Sequence, residues 1–367
     1  IGLGIARRLA QAKFSVTIIG RNETRGAEII AEFEREYGHS NSIESSAIPR
    51  FTFVKCDVAQ LANVDKACTS LLANNNCVDT LVLTQGKASM DGRRETNEGI
   101  DNKMSLHYFS RMLFVNRLLP ALRKSPSGAP RVLSVLSAGV HSNYANFKTD
   151  FELKKNFSLK NAADAAGFYN DLMLDSFARD QENKNVAFFH AAPGIVTTEY
   201  FSEFPWVVKT LLSPLGNLIG KSIDDCGIFM TDCLFNPAKN DASITGHINL
   251  INETGGSAKK NAFATDDARD FVREKTDQIF SKMGFHSLNV PAIRALAAKN
   301  ANISFPGRHA VVVGGTSGIG LGIAHRLAQA DFSVTIIGRN ETRGAKIISE
   351  FEREYSYGSK SNSFENS

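Results

Sequence analysis

The chain has 367 residues, 43% of them hydrophobic, and carries a net charge of +4 from 42 basic and 38 acidic side chains. This is the composition of a soluble globular protein with room for one large domain or two small ones, and its scattered basic residues form no stripe of the kind that grips a nucleic acid. The five cysteines (Cys56, Cys68, Cys77, Cys226, Cys233) show neither C-x-x-C nor metal-ligand spacing, which reads as buried thiols in a reducing compartment, the cytoplasm, and as no metal site.

Short β-branched runs alternate with amphipathic helical patterns, which predicts βαβ units and a parallel sheet covered on both faces. The chain begins at Ile1, inside a glycine turn, and the segment expected before it is read as absent, so no leader is judged. In order, SVTII (15–19) predicts a strand, AEIIAEFEREY a helix and GHSNSIESSAIPR a polar loop. FTFVKCDV (51–58) predicts a strand and LANVDKACTSLLANN a helix. DTLVLTQG (79–86) predicts a strand ending in a glycine turn, followed by a long helix from about Gly99 to Lys124. PRVLSVLSAG (130–139) predicts a strand, 163–182 a helix and VAFFHAAPG (186–194) a strand.

The segment FPWVVKTLLSPLGNLIG (204–220) holds two prolines and a lysine and falls short of the ~20 apolar residues that span a bilayer. It is read as a lid over an apolar pocket in preference to a membrane-surface patch. A helix around Ser222–Phe235, the strand ITGHINLI (244–251), a charged helix near Asp266–Met283 and a connector at 285–308 follow. The polar tail, 356–367, is read as disordered.

Residues 1–37 recur at 319–355 with four changes, Arg7/His325, Lys13/Asp331, Glu28/Lys346 and Ala31/Ser349. Only the second copy is preceded by an apolar run and a complete glycine loop, HAVVVGGTSG. A repeat of whole-domain length excludes a solenoid. The reading is one α/β domain over 1–284 that lacks its first strand, then the connector, then the start of a second domain at 309–355. In a Rossmann-type doubly wound sheet the strand before the glycine loop is central. A gap there would leave ladder groups unpaired, so 309–313 is expected to fill it, making the fold a circular permutant whose cofactor site is built by the second copy.

The loop itself runs Gly314-Gly315-Thr316-Ser317-Gly318-Ile319-Gly320, between a predicted strand and a predicted helix. Its glycines allow a pyrophosphate to approach backbone N–H groups at a helix N-terminus. The next strand ends at Gly338-Arg339, and its twin at Gly20-Arg21. An Arg where an Asp or Glu would take the ribose 2′-hydroxyl favours the 2′-phosphate of NADP over NAD.

With these features the chain resembles the short-chain dehydrogenase/reductase family over nearly its whole length, and most of all its retinol-dehydrogenase-like branch and related fungal oxidoreductases. The G-x-x-x-G-x-G loop matches Gly314, Gly318 and Gly320, with Ser317 and Ile319 inside it. The acidic residue beside the adenine matches Asp57, and the strand-end glycine turn matches Leu83-Thr84-Gln85-Gly86. The motif that holds the nicotinamide carboxamide matches Pro193-Gly194-Ile195-Val196-Thr197-Thr198.

The resemblance implies a catalytic Ser at Ser137 and a Tyr at Tyr169. It puts Met173 where the family has a Lys that lowers the Tyr pKa, and His107 where it has a relay Asn. A phenol near pKa 10 needs such a cation to serve near neutrality. His107 is read either as a relay or as a packed second neighbour. Tyr144-Ala-Asn-Phe-Lys148 repeats the Y-x-x-x-K spelling in a polar stretch too close to Ser137 and is set aside, while Lys87 is a candidate substitute cation. Two functions are carried forward. One is an NADP-dependent oxidoreductase acting on the carbonyl or alcohol of an apolar small molecule. The other is a cofactor-binding protein without turnover, or a fusion of tandem gene copies. A homo-oligomer is left open.

Overall fold

The computed structural model describes residues 1–38, 49–74, 77–196, 220–235, 244–285, 308–313, 318–329, 332–338, 341–355 and 363–366. They form two compact units, Ile1–Ser287 and Leu288–Ser367.

In the first unit β1 (Val16–Gly20) pairs in parallel with β2 (Phe51–Lys55). A second parallel ladder runs in the order β3 (Thr80–Leu83), β4 (Arg131–Val135), β5 (Ala187–Ala191), β6 (Ile248–Ile251). β4 and β5 are buried at every residue, as expected of inner strands covered on both faces. Because side chains alternate along a strand, Val132 and Phe188 enter one core while Leu133, Val135, Ala187, Phe189 and Ala191 enter the other.

The first core is closed by α3 (Leu61–Asn74), α5 (Ser110–Leu122), α6 (Leu159–Arg179) and α8 (Asp266–Lys282). The second is closed by α1 (Gly2–Gln11), α2 (Glu23–Tyr37) and α7 (Ile223–Phe235). Polar side chains start these helices by accepting from otherwise unpaired backbone N–H groups. Asn22 accepts from Arg25, Ser158 from Asn161 and Thr265 from Ala268. α1 and α7 cross backbone to backbone: a Cβ on Gly4 would stand 2.2 Å from the Ile223 carbonyl oxygen, and one on Gly227 would stand 2.7 Å from Gly4.

The long helix expected from about Gly99 begins with α4 (Asn102–Met104), widens into a π-turn over Ser105–Phe109 and continues as α5. Asp101 caps it, its Oδ1 accepting from the amides of Lys103 and Met104. The lid at 204–219 and the connector over 286–307 lie outside the described residues. No helix among the described residues is long and apolar enough to cross a membrane.

The second unit is a β-α-β-α-β run: β7 (His309–Val313), α9 (Gly318–Gln329), β8 (Ser333–Gly338), α10 (Glu341–Tyr355) and β9 (Ser363–Asn366). Its small core consists of Ala324, Ala328, Val334, Ile336, Ile347 and Phe351. The same positions of the first copy, Ala6, Ala10, Val16, Ile18, Ile29 and Phe33, pack in the second core of the first unit. The four substituted positions of the first copy lie outside its buried set, which is why they vary at little cost.

β7 pairs in parallel with β8, the neighbour that its short link through α9 favours, and β8 pairs with β9. In the first copy β1 pairs with β2, and α1 crosses α7. Within the tail, β9 lies parallel to β8 as β2 does to β1.

Candidate functional site

In the first unit the sequence-predicted residues gather at the carboxyl ends of the parallel strands, where open α/β sheets hold their ligands. Arg21 follows β1 and is exposed, ahead of the α2 cap Asn22. Asp57 follows β2 and shapes the turn into α3: its Oδ1 accepts from the Ala59 amide at 3.2 Å, and its carbonyl accepts from Asn63 at 3.3 Å. Gly86 follows β3, Ser137 follows β4, and Pro193 and Gly194 follow β5. Gly194 has φ +68°, a left-handed backbone, and a Cβ there would stand 2.9 Å from the Glu253 Cβ.

The start of α1 is held at the same edge, because a Cβ on Gly2 would be 2.6 Å from Thr84 Oγ1 at the end of β3. A helix N-terminus, an exposed Arg after β1, an acidic turn after β2 and bare glycines after β3 and β5 together suit an extended, anionic dinucleotide lying along the edge. In the second unit Gly314, Ser317 and Arg339 lie outside the described residues, while Gly318, Ile319 and Gly320 form the first turn of α9. Thr198 also lies outside.

His107 sits in the π-turn and is committed. Its Nε2 accepts the Lys87 amide at 2.9 Å, next to Gly86, where a Cβ would be 3.1 Å from the same nitrogen. Burial, then the positive charges of Arg111 and Lys103, lower its pKa to about 3, so the ring is neutral. The carbonyl of His107 accepts from Asn170 of α6 at 2.8 Å, which pins the π-turn to that helix. His107 thus fastens the loop after β3 to α6. Arg111, one turn on and fully buried, donates to the carbonyls of Leu83, Gln85 and Val135 and to Ser134, binding the ends of β3 and β4 together.

Tyr169 is not brought to Ser137. Its ring is fully buried in the first core, stacked on Phe151 with centroids 4.5 Å apart and edge-on to Tyr108 at 5.3 Å. Its hydroxyl donates to the Phe151 carbonyl at 3.3 Å, and burial pushes its pKa well above 10. Met173 packs in the same core, so it holds no open lysine position. The Tyr144 hydroxyl donates to Asp150, while Lys148 is paired with Asp267 at 2.5 Å. The Lys87 ammonium lies 3.9 Å from Asp91.

The α6 residue that meets Ser137 is Gly167. A Cβ there would lie 2.5 Å from Ser137 Oγ and 2.5 Å from His141 Cγ. One turn further along, Asp171 holds two histidines: His190 Nδ1 at 2.5 Å from Oδ1 and His141 Nε2 at 3.2 Å from Oδ2. His190 Nε2 accepts the Ser137 amide at 3.2 Å, and His141 Nδ1 lies 2.8 Å from the Ser137 carbonyl, to which it donates. A polar cluster of Ser137, His141, Asp171 and His190 therefore surrounds the serine. Sequence patterns missed it because its members are 4, 34 and 53 residues from Ser137 in no known spacing.

The thiols have no part in the site. Among the described residues all five cysteines are free, and burial raises Cys56 to about 11 and Cys68 to about 12.

Known proteins give the same picture. The chain is 37% identical over 219 residues to Oxidoreductase AN1596 of Emericella nidulans, covering 59% of this chain and 61% of that protein. It is 28% identical to the Polyprenol dehydrogenase of Mus musculus, covering 61% and 65%. The chain thus spans about three fifths of these relatives. A crystal structure of an uncharacterised protein from Mycobacterium paratuberculosis shares the fold, with a TM-score of 0.53 at 14% identity, over 76% of this chain and 89% of that one. The model of the short chain dehydrogenase family matches residues 1–148 and 308–362, and with the parallel sheet and the strand-end residues above, the chain belongs to that family.

Proposed function

We propose that the protein is a nicotinamide-dinucleotide-dependent oxidoreductase that interconverts a carbonyl and an alcohol on an apolar small molecule, with NADP preferred to NAD. The observation that carries this reading is that Arg21, Asp57, Gly86, Ser137 and Gly194 each follow the carboxyl end of a parallel strand. A bound dinucleotide supplies the hydride acceptor or donor. This chain's own residues supply the cradle and the serine that hydrogen-bonds the substrate oxygen. An apolar substrate is supported by the aromatic segment 201–211 and by the relative whose name is polyprenol dehydrogenase.

The preference for NADP rests on Arg21, which faces solvent after β1 with no carboxylate following it until Glu23, itself paired with Lys55. An Arg–phosphate contact contributes roughly 1.5–3 kcal/mol. Titration with NADPH and NADH, followed by quenching of protein fluorescence, should show NADPH binding at least tenfold tighter, and Arg21→Ala should erase the difference. Equal or tighter binding of NADH overturns the preference.

A second reading, a cofactor-binding protein without turnover, is favoured by one observation: α6 presents a glycine to Ser137, not a phenol. Reduction of a long-chain aldehyde under NADPH separates the two.

A further inference from the structure

Both backbone groups of Ser137 are held by histidines that share one carboxylate. The Ser137 amide donates to His190 Nε2 at 3.2 Å, and the Ser137 carbonyl lies 2.8 Å from His141 Nδ1. The far nitrogens of the two rings reach Asp171, His190 Nδ1 at 2.5 Å from Oδ1 and His141 Nε2 at 3.2 Å from Oδ2. These partners fix the protons. A carbonyl and a carboxylate only accept, so His141, set between the two, carries hydrogen on both nitrogens and is an imidazolium. His190 faces one donor and one acceptor, so it is neutral with its proton on Nδ1. A buried cation beside a buried anion leaves the cluster without net charge, the condition under which burying either is tolerated.

We propose that His141 is a positioning residue: as an imidazolium it clamps the turn that carries Ser137 onto α6, and loss of its proton releases that turn. This rests on the oxidoreductase reading above, in which the serine hydroxyl meets the substrate oxygen. Ser137 Oγ is buried and has no hydrogen-bond partner among the described residues. The clamp thus holds the residue by its backbone and leaves the hydroxyl for a ligand. His141 itself touches no substrate in this role, and its proton stays on the ring through turnover.

The face of α6 is shaped for the clamp. Asp164, Gly167 and Asp171 recur at three- and four-residue spacing and so share one side of the helix. Asp164 Oδ1 accepts the Ser142 amide at 2.9 Å and holds the far end of the turn. Gly167 leaves room for the ring, since a Cβ there would stand 2.5 Å from His141 Cγ. The charged and titratable groups around His141 are Asp171 and Asp164 of α6, Lys160 of the same helix, paired with Asp164 at 2.5 Å, and His190 of β5, stacked 6.0 Å away. Burial works against the charge on His141, but Asp171, then the Ser137 carbonyl and Asp164, outweigh it and hold the ring above its ordinary pKa. Burial works against the Asp171 charge too, and the two histidines outweigh it in turn. Burial holds His190 below its ordinary value, in keeping with its neutral form. As pH rises through the raised pKa of His141, one of its two donors disappears and a lone pair faces an acceptor, so one side of the clamp is lost.

The test uses the full chain. Without any dinucleotide, nuclear magnetic resonance of ¹⁵N-labelled protein should show both ring nitrogens of His141 protonated at pH 7 and only one of His190. Raising the pH through the His141 titration should speed hydrogen exchange of the Ser137 and Ser142 amides at least tenfold beyond the intrinsic rise, while the amides of β4 keep their protection. Asp171→Asn should move the titration and the release to lower pH together. His141→Gln, which cannot donate on both sides, should exchange the turn fast at every pH. With NADPH and decanal, kcat should fall over the same pH range in which the turn is released, and Asp171→Asn should shift that fall to lower pH by the same amount, a coupling that a merely structural role would not give. A His141 ring with one bare nitrogen at pH 7, or a turn whose exchange ignores the titration, overturns the clamp, and both are read on the wild type. If decanal is reduced with a kcat indifferent to the titration, the positioning role is overturned. If NADPH does not bind or decanal is not reduced, the oxidoreductase reading falls and the catalytic purpose of the clamp with it, while the measurements on the free chain still decide whether His141 holds the turn.

Discussion

Two side chains show how far residue identity alone misleads about role. Tyr169 has the residue type expected of an acid/base, yet its hydroxyl serves the Phe151 carbonyl inside an aromatic core. Tyr169→Phe is therefore expected to cost about 1 kcal/mol of stability through that lost hydrogen bond and to leave any turnover intact. Urea unfolding and a rate measurement check both parts, and loss of turnover would return the phenol to the site. His107 makes a pH prediction. Its folded pKa of about 3 lies below the ordinary 6.5, so as pH falls the unfolded chain takes up the proton first and stability drops between pH 6.5 and 3. The slope is about 1.4 kcal/mol per pH unit. Between pH 7 and 5 the wild type should lose roughly 2 kcal/mol more than His107→Asn, whatever that variant costs at pH 7; parallel urea curves for the two proteins would contradict it.

At the scale of elements, the helical and strand periods were readable because each depends on neighbours in sequence. β4 and β5 appeared as apolar runs and are the buried inner strands. The long helix was readable too, but not the π-turn within it, since the bulge exists to bring His107 to the loop after β3 and its carbonyl to Asn170 of α6. The crossing of α1 and α7 was equally hidden, for it depends on two glycines 223 residues apart, Gly4 and Gly227, meeting without side chains. Gly227→Ala gains up to about 1 kcal/mol of helix preference but forces a methyl against the Gly4 backbone, an overpacking of about 1–3 kcal/mol. Because the opposing atoms are backbone and cannot swing aside, a net loss of roughly 1–2 kcal/mol and a lower Tm are expected. Gly92→Ala, with open space around it, should leave Tm unchanged.

For the whole molecule, the duplication is more than a repeated string: of the six core positions of the second copy, four are buried in the first as well, and Ile18 and Ile29 are half-buried against the same core. Each unit has its own apolar core, so a chain ending at residue 287 should still unfold in one cooperative thermal transition by circular dichroism. A truncated chain with no cooperative transition would mean that the first unit depends on the second.

The sequence by itself determined the order of βα units, the parallel sheet, the duplicated segment and the serine at the end of β4, because these follow from local periodicity and from glycine turns. The tertiary structure decided two matters that local patterns do not contain. One is the close crossing of α1 on α7, which needs Gly4 and Gly227 to meet without side chains. The other is which residue of α6 faces Ser137. Residues 167 and 169 are two apart, and at 3.6 residues per turn they point to nearly opposite sides of the helix, so the packing that buries Tyr169 in the aromatic core is the same packing that sets Gly167, and with it His141 and Asp171, beside the serine.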